Sequence, residues 1–281
     1  MTADSWNRGG VAVGAVLWIV AGALSSCEQV IEVDLNQAGP QVVIEGIVTD
    51  QPGPYTVGLT RSGNYFEQSL SFPPVRNAVV MVGDNVGSRD TLKEGAPGTY
   101  RSSSVLRGVS GRTYTLSVET GGKGYSAVST MPQRVAIDSL FAVARRTGRN
   151  DPGYDMYVVF RDPPEPGNYY RVNVRLSNPL VPADSIDGKR YRLFSDKLTN
   201  GNEAVYRVRA RHTVVAGDTI TVDLLSLDQA TYEYYRTLND ILTSDRSPTS
   251  LSPANPNSNL SSGSLGYFAA YAIDTKKIVL R

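Results

Sequence analysis

Cysteine, histidine and tryptophan are almost missing from this sequence. Across 281 residues it has one cysteine, Cys27, one histidine, His212, and two tryptophans, Trp6 and Trp18. A lone cysteine excludes an internal disulfide, so stability has to come from packing. One histidine and one cysteine cannot build a zinc site of the usual kind, which needs several such ligands. Any Ser-His-Asp mechanism would have to run through His212. An excess of charge is lacking too: 28 Lys and Arg stand against 27 Asp and Glu, a formal net charge of +1. That balance argues against an electrostatic nucleic-acid binder. The one long apolar run, residues 11–24, falls short of the roughly 20 residues of a transmembrane helix.

What that run does fit is the apolar core of a secretory signal, with Arg8 supplying the positive charge before it. It ends in Leu24-Ser25-Ser26-Cys27, which resembles the lipobox of bacterial lipoproteins. There the small residues admit the signal peptidase and the cysteine thiol carries the lipid. Cleavage before Cys27 would make it the first residue. The alternative is an ordinary signal cut after Ala21-Gly22-Ala23, which leaves Cys27 as an unpaired exported thiol, an odd outcome for a chain with no second cysteine. Lipidation is the favoured reading. Each buried methylene contributes about 0.8 kcal/mol, so several acyl chains on one cysteine hold a protein on a membrane without a spanning segment. Both tryptophans lie in the segment that would be removed.

The next residues, Glu28-Gln29-Val30-Ile31-Glu32-Val33-Asp34-Leu35, are acidic at intervals and read as a tether or as a surface-export signal. From Gln41 the pattern changes to strands. Val42-Val43-Ile44-Glu45-Gly46-Ile47-Val48-Thr49 is β-branched, Gln51-Pro52-Gly53-Pro54 breaks it, and Tyr55-Thr56-Val57-Gly58-Leu59-Thr60 resumes. Further strands are expected at 78–82, 99–101, 114–119 and 125–130, separated by glycine-rich turns. Tyr114, Leu116 and Val118 alternate with Thr115, Ser117 and Glu119, which gives that strand one buried and one wet face. Short strands at this spacing predict an antiparallel β-sandwich.

Met131-Pro132 closes this first domain, because proline removes a ladder donor. Beyond it strands are expected at 137–146, 154–161, 169–176, 190–194, 204–215 and 219–225. One amphipathic helix is expected over 227–242, opened by a Ser226–Gln229 capping box, with Leu227, Thr231, Tyr234, Leu238, Ile241 and Leu242 on one face. Residues 244–264 are rich in Ser, Asn and Pro, a loop long enough to be functional or disordered. The end of the chain reads as a hairpin, 267–273 and 276–280, turning at Asp274-Thr275. The predicted fold is therefore all-β, two antiparallel β-sandwich domains with one amphipathic helix in the second. The divisions are a signal at 1–26, a lipidated tether at 27–40, an Ig-like or transthyretin-like domain at 41–132 and a β-rich domain at 133–281. A membrane β-barrel is disfavoured by the long loop, the internal helix and the anchor.

Several segments carry a resemblance. Cys27-Glu28, Val42-Val43-Ile44-Glu45-Gly46 and Thr49-Asp50-Gln51-Pro52-Gly53-Pro54-Tyr55-Thr56-Val57 open the series. Pro73-Pro74-Val75, Gly98-Thr99-Tyr100, Gly111-Arg112-Thr113-Tyr114-Thr115-Leu116, Met131-Pro132, Ile137-Asp138-Ser139-Leu140, Asn239-Asp240 and Leu265-Gly266-Tyr267-Phe268-Ala269-Ala270-Tyr271 follow in order. Together they resemble the domain-of-unknown-function 4249 family of Bacteroidota lipoproteins. The first half is also similar to carboxypeptidase-regulatory and transthyretin-like sandwiches, which are scaffolds rather than catalysts. The family resemblance implies an outer-membrane, surface-exposed lipoprotein that assists a TonB-dependent receptor.

Few residues offer chemistry. The strand period places His212 with Tyr206, Val208, Ala210 and Val214 on the core side, a structural histidine. It places Arg207, Arg209 and Arg211 together on the other face, where they read either as a solvated row paired to carboxylates or as a surface for an anionic partner. Asn150-Asp151-Pro152-Gly153-Tyr154-Asp155 and Asp184-Ser185-Ile186-Asp187-Gly188 have oxygen ligands but not the spacing of an EF-hand, so turn formation explains them better. Tyr169-Tyr170 and Tyr234-Tyr235 suit either an interface or half-buried strands. The expectation is a non-enzymatic lipoprotein with no metal and no cofactor beyond the lipid on Cys27. Its expected partners are the outer membrane and a TonB-dependent receptor, and no nucleic acid. A stand-alone adhesin or glycan binder is the alternative, weakened by the missing tryptophan.

Overall fold

Fourteen strands and one α-helix are found among the described residues of the computed structural model, which are 39–63, 72–103, 106–145, 153–176, 191–208, 215–244 and 255–280. All of them belong to the unit Gly39–Arg281. The strands of the first half are β1 (Val42–Thr49), β2 (Thr56–Arg61), β3 (Val79–Asp84), β4 (Arg89–Glu94), β5 (Thr99–Arg101), β6 (Thr113–Thr120) and β7 (Lys123–Thr130). Those of the second are β8 (Ile137–Arg145), β9 (Gly153–Arg161), β10 (Tyr169–Leu176), β11 (Arg192–Ser195), β12 (Glu203–Val208), β13 (Thr219–Leu227) and β14 (Leu265–Val279), with α1 (Gln229–Ser244) between the last two. The fold is all-β in class, as the strand spacing predicts.

Strand β14 organises the molecule. Eleven strands form one sheet in the order β11-β10-β13-β14-β1-β2-β5-β4-β3-β6-β7, while β12, β9 and β8 form a second, narrow sheet. Every pairing is antiparallel except that of β1 with β14, which is parallel and sets Ile44 beside Gly266 and Gly46 beside Phe268. Alternate residues of β14 face opposite sides. On one side Phe268, Ala270 and Ala272 join Ile44, Leu59, Val80 and Leu116 in the core of the first half. Ile278 and Leu280 continue that side into a second core, where Met156, Val158 and Phe160 of the narrow sheet meet Val172, Ile220 and Leu224. On the opposite side Ala269 and Tyr271 pack under α1 with Tyr234 and Tyr235. Each fully buried large side chain of this kind contributes about 1.5–3 kcal/mol.

The expected terminal hairpin is not there: β14 runs unbroken through Asp274 and Thr275 and pairs with β13 from Thr219 to Ser226. The two polar residues that suggest a turn are used in tertiary bonds instead. The Asp274 carboxylate accepts the Ile137 backbone N–H at 2.8 Å, and the Thr275 hydroxyl donates to Asp223 at 2.8 Å. The helix likewise starts later than the capping box implies. Asp228 is its cap, accepting the Thr231 N–H at 2.8 Å, while Ser226 remains in β13 opposite Ala272. Strand β4 was not expected, because only Leu92 is buried in its charged sequence.

Asp50 ties the halves together at the end of β1. Its carboxylate accepts the Ile273 N–H at 3.0 Å and the Arg134 Nε–H at 2.7 Å. Asp50 is itself buried, and a buried charge needs such partners.

Candidate functional site

The narrow sheet has one face in the second core and one face turned outward. Along β9, Met156, Val158 and Phe160 point inward, which leaves Asp155, Tyr157 and Val159 on the outside. The pairing register lines these up with outward residues on both neighbours. Phe141 and Arg207 lie opposite Tyr157, Val205 lies opposite Val159, and Val143 lies opposite Asp155. The Phe141 and Tyr157 rings stack at 5.2 Å with 16° between their planes. Val205 is 58% exposed, Val143 50% and Phe141 39%. Apolar side chains grouped at this exposure are uncommon on a folded surface and mark interaction sites.

Charge sits at the border of this patch. The Arg207 Nη2 donates to Asp155 at 2.7 Å. The hydrogen bond and the negative charge of Asp155 push the Arg207 guanidinium above its ordinary value, so it stays a cation. The pair is solvent-exposed and adds little to stability. Among the described residues no strand pairs with the outer edge of β8 or of β12. Apolar area, stacked rings and one fixed ion pair suit contact with another polypeptide.

The tyrosines are used differently. Tyr169 packs against Tyr232 with ring centroids 4.8 Å apart under α1, whereas its neighbour Tyr170 points into the second core and donates to Asp162 at 2.5 Å. Beneath the helix the Arg171 guanidinium lies between two rings, 4.3 Å from Tyr191 and 4.5 Å from Tyr235. Tyr235 donates to the Tyr267 hydroxyl at 2.9 Å. Burial pushes the hydroxyls of Tyr234, Tyr235, Tyr267 and Tyr271 up. This is a packed layer joining helix to sheet, and cation–π stacking holds the Arg171 guanidinium in it.

A family model described as a domain of unknown function, DUF4249, matches residues 28–277. The chain belongs to that family. Comparison of this DUF4249 chain with curated proteins finds no match. Among solved structures, a segment of two fibronectin type-III domains from chicken tenascin matches at 14% identity and a TM-score of 0.21, covering 67% of this chain and 91% of that one. A cytokine receptor complex matches at 11% identity and a TM-score of 0.26, covering 84% and 95%.

Of the residues the sequence singles out, Arg207 lies on the outward face, as the strand period places it. Arg209, Arg211 and His212 lie outside the described residues, as do Leu24, Ser25, Ser26 and Cys27. The same holds for residues 150–152 and 184–188 of the two oxygen-rich loops, and Asp155 is part of β9. Among the described residues no group of three or more His, Cys, Asp and Glu could hold a metal ion, and no helix is long and apolar enough to cross a membrane. The end of the Ser- and Asn-rich stretch, 255–264, is anchored rather than free. The Asn259 amide donates to Val128 O and Phe268 O and accepts the Phe268 N–H, and Leu260 bridges Ala127. It covers the edge of β7.

Sequence reasoning missed Phe141, Val143, Tyr157 and Val205. The signal was available in β8, where Leu140 and Ala142 alternate with Phe141 and Val143: a strand apolar on both faces implies that both faces are in use.

Proposed function

We propose that this chain is a non-enzymatic lipoprotein, held on the outer membrane by a lipid on Cys27 and exposed at the cell surface, that serves as an accessory binding subunit of a TonB-dependent outer-membrane transporter. The observation that carries this reading is the outward face of the narrow sheet, where Phe141, Val143, Tyr157 and Val205 lie beside the Arg207–Asp155 pair. A face of this composition is expected to be covered by a protein partner. The lipobox-like Leu24-Ser25-Ser26-Cys27 supports a body tethered at a membrane surface, and the family resemblance supports a receptor as the partner.

Purification of the tagged, lipidated protein from outer membranes in mild detergent tests the proposal. A TonB-dependent receptor should accompany it in stoichiometric amount, and Phe141→Lys with Val205→Lys should release the receptor while leaving the protein membrane-bound. Cys27→Ser should move the protein to the soluble fraction. Recovery of the protein alone, with direct binding to glycans, would replace this reading with a stand-alone adhesin.

A further inference from the structure

A cleft of about 230 Å³ opens on the first half of the chain, at the turn that joins β3 to β4 and the segment that leads into β6. Arg89, Arg107 and Arg112 all line it, beside Ser88 and Ser103, with Leu106 and Val109 as its apolar side. One carboxylate shares the lining, Asp90, and it accepts the Ser103 backbone N–H at 2.7 Å. The positions of the arginines are partly fixed. Arg112 is held by Asp84 at 2.8 Å, and Asp84 also accepts the backbone N–H groups of Ser88 at 2.8 Å and Val86 at 3.1 Å. Among the described residues, neither Arg89 nor Arg107 has a carboxylate partner.

Three guanidiniums meet two carboxylates here, Asp90 in the lining and Asp84 on Arg112, so the cleft keeps a net positive charge. Cations gathered on one small concave surface repel one another unless an anion sits between them. Guanidinium forks match the paired oxygens of a tetrahedral oxyanion, and two parallel bonds give direction as well as energy. Leu106 and Val109 offer apolar contact to whatever carries the charged group. The volume is below the roughly 300–1,000 Å³ of a drug-sized pocket, so the cleft suits the charged group and the first atoms of its carrier.

We infer that this cleft is a binding site for a phosphate or sulfate monoester, gripped by Arg89 and Arg107 and completed by Arg112, which Asp84 holds in place. The site is independent of the transporter reading and lies on residues that the outward sheet face does not use.

The test uses the full chain in neutral detergent, titrated with inorganic phosphate and sulfate against sodium chloride at matched ionic strength. Saturable heat of binding and a rise in melting temperature are expected with the oxyanions and not with chloride. Arg89→Gln with Arg107→Gln should lower affinity about tenfold for each guanidinium removed. Arg89→Lys with Arg107→Lys keeps the charge but loses the fork, so it should fall between the two and serves if the glutamine pair fails to fold. A soluble sugar phosphate and vesicles containing phosphatidylglycerol then separate the sources: whichever binds must lose binding in the glutamine pair. Equal response to chloride and phosphate, or full binding in the glutamine pair and in the lysine pair, would overturn the inference.

Discussion

Gly266 lies so close to Ile44 across the parallel β1–β14 pair that a Cβ on it would stand 2.0 Å from the Ile44 carbonyl oxygen. Its φ of +94° is a conformation that other residues rarely adopt. Both constraints fall on the pairing that joins the first described strand to the last. Gly266→Ala is therefore expected to cost about 3 kcal/mol or more, from strain and overpacking together. Gly58→Ala, where the nearest atom would be 3.9 Å away, should cost far less. Urea denaturation of the two variants checks the contrast, and equal stabilities would show that the close approach relaxes freely.

The same pairing marks the limit of what the sequence reveals. Val42–Thr49 and Tyr169–Leu176 are legible because β-branched and aromatic residues alternate within them. Nothing local says that the segment around Gly266 lies beside the segment around Ile44, although both belong to the motifs that carry the family resemblance. A strand's partner is a long-range fact, and Asp274-Thr275 reads as a turn until Asp223 and Ile137 are found beside it. The outward position of Arg207 follows from a period of two. The arginine cleft does not, since Arg89, Arg107 and Arg112 are scattered in sequence and meet only through the β3–β4 turn.

Asp228 joins the two halves through a short relay. The Ala270 N–H donates to the Ser129 hydroxyl at 2.8 Å, the hydroxyl donates to Asp228 at 2.6 Å, and the other carboxylate oxygen caps α1. Asp228→Ala removes the cap, worth about 1 kcal/mol, and strands the buried Ser129 hydroxyl, which adds about 1–3 kcal/mol. Asp228→Asn retains an acceptable cap and should lose less than half as much. Denaturant midpoints rank the three proteins, and a cost for Asp228→Asn equal to that for Asp228→Ala would show that the charge, not the cap, dominates.

Alkali should unfold the protein through its tyrosines. Burial pushes the hydroxyls of Tyr55, Tyr114, Tyr170, Tyr234, Tyr235, Tyr267 and Tyr271 above their ordinary value of 10.0. A folded value above the unfolded one gives stability that is complete below pH 10 and lost as pH rises toward the folded values. Tyrosinate absorbance should therefore rise in two stages, the second coinciding with loss of circular dichroism. A single reversible rise of all 16 tyrosines near pH 10 with the fold intact would contradict this.

Acid acts on the opposite side through Asp84. Burial alone would raise its carboxyl, but hydrogen bonds from the Ser88 backbone, the Arg112 guanidinium, the Ser88 hydroxyl and the Val86 backbone outweigh it and hold the group below its ordinary value of 3.8. A depressed folded value gives stability that is present above pH 3.8 and lost as pH falls toward the folded value. Asp84→Asn removes that contribution at neutral pH and leaves Arg112 without its partner. The variant should be less stable than the parent at pH 7, with the difference shrinking as both are taken below pH 3.8. Urea midpoints across that range read it directly: a difference independent of pH would mean that Asp84 acts through its shape in the β3–β4 turn and not through its charge.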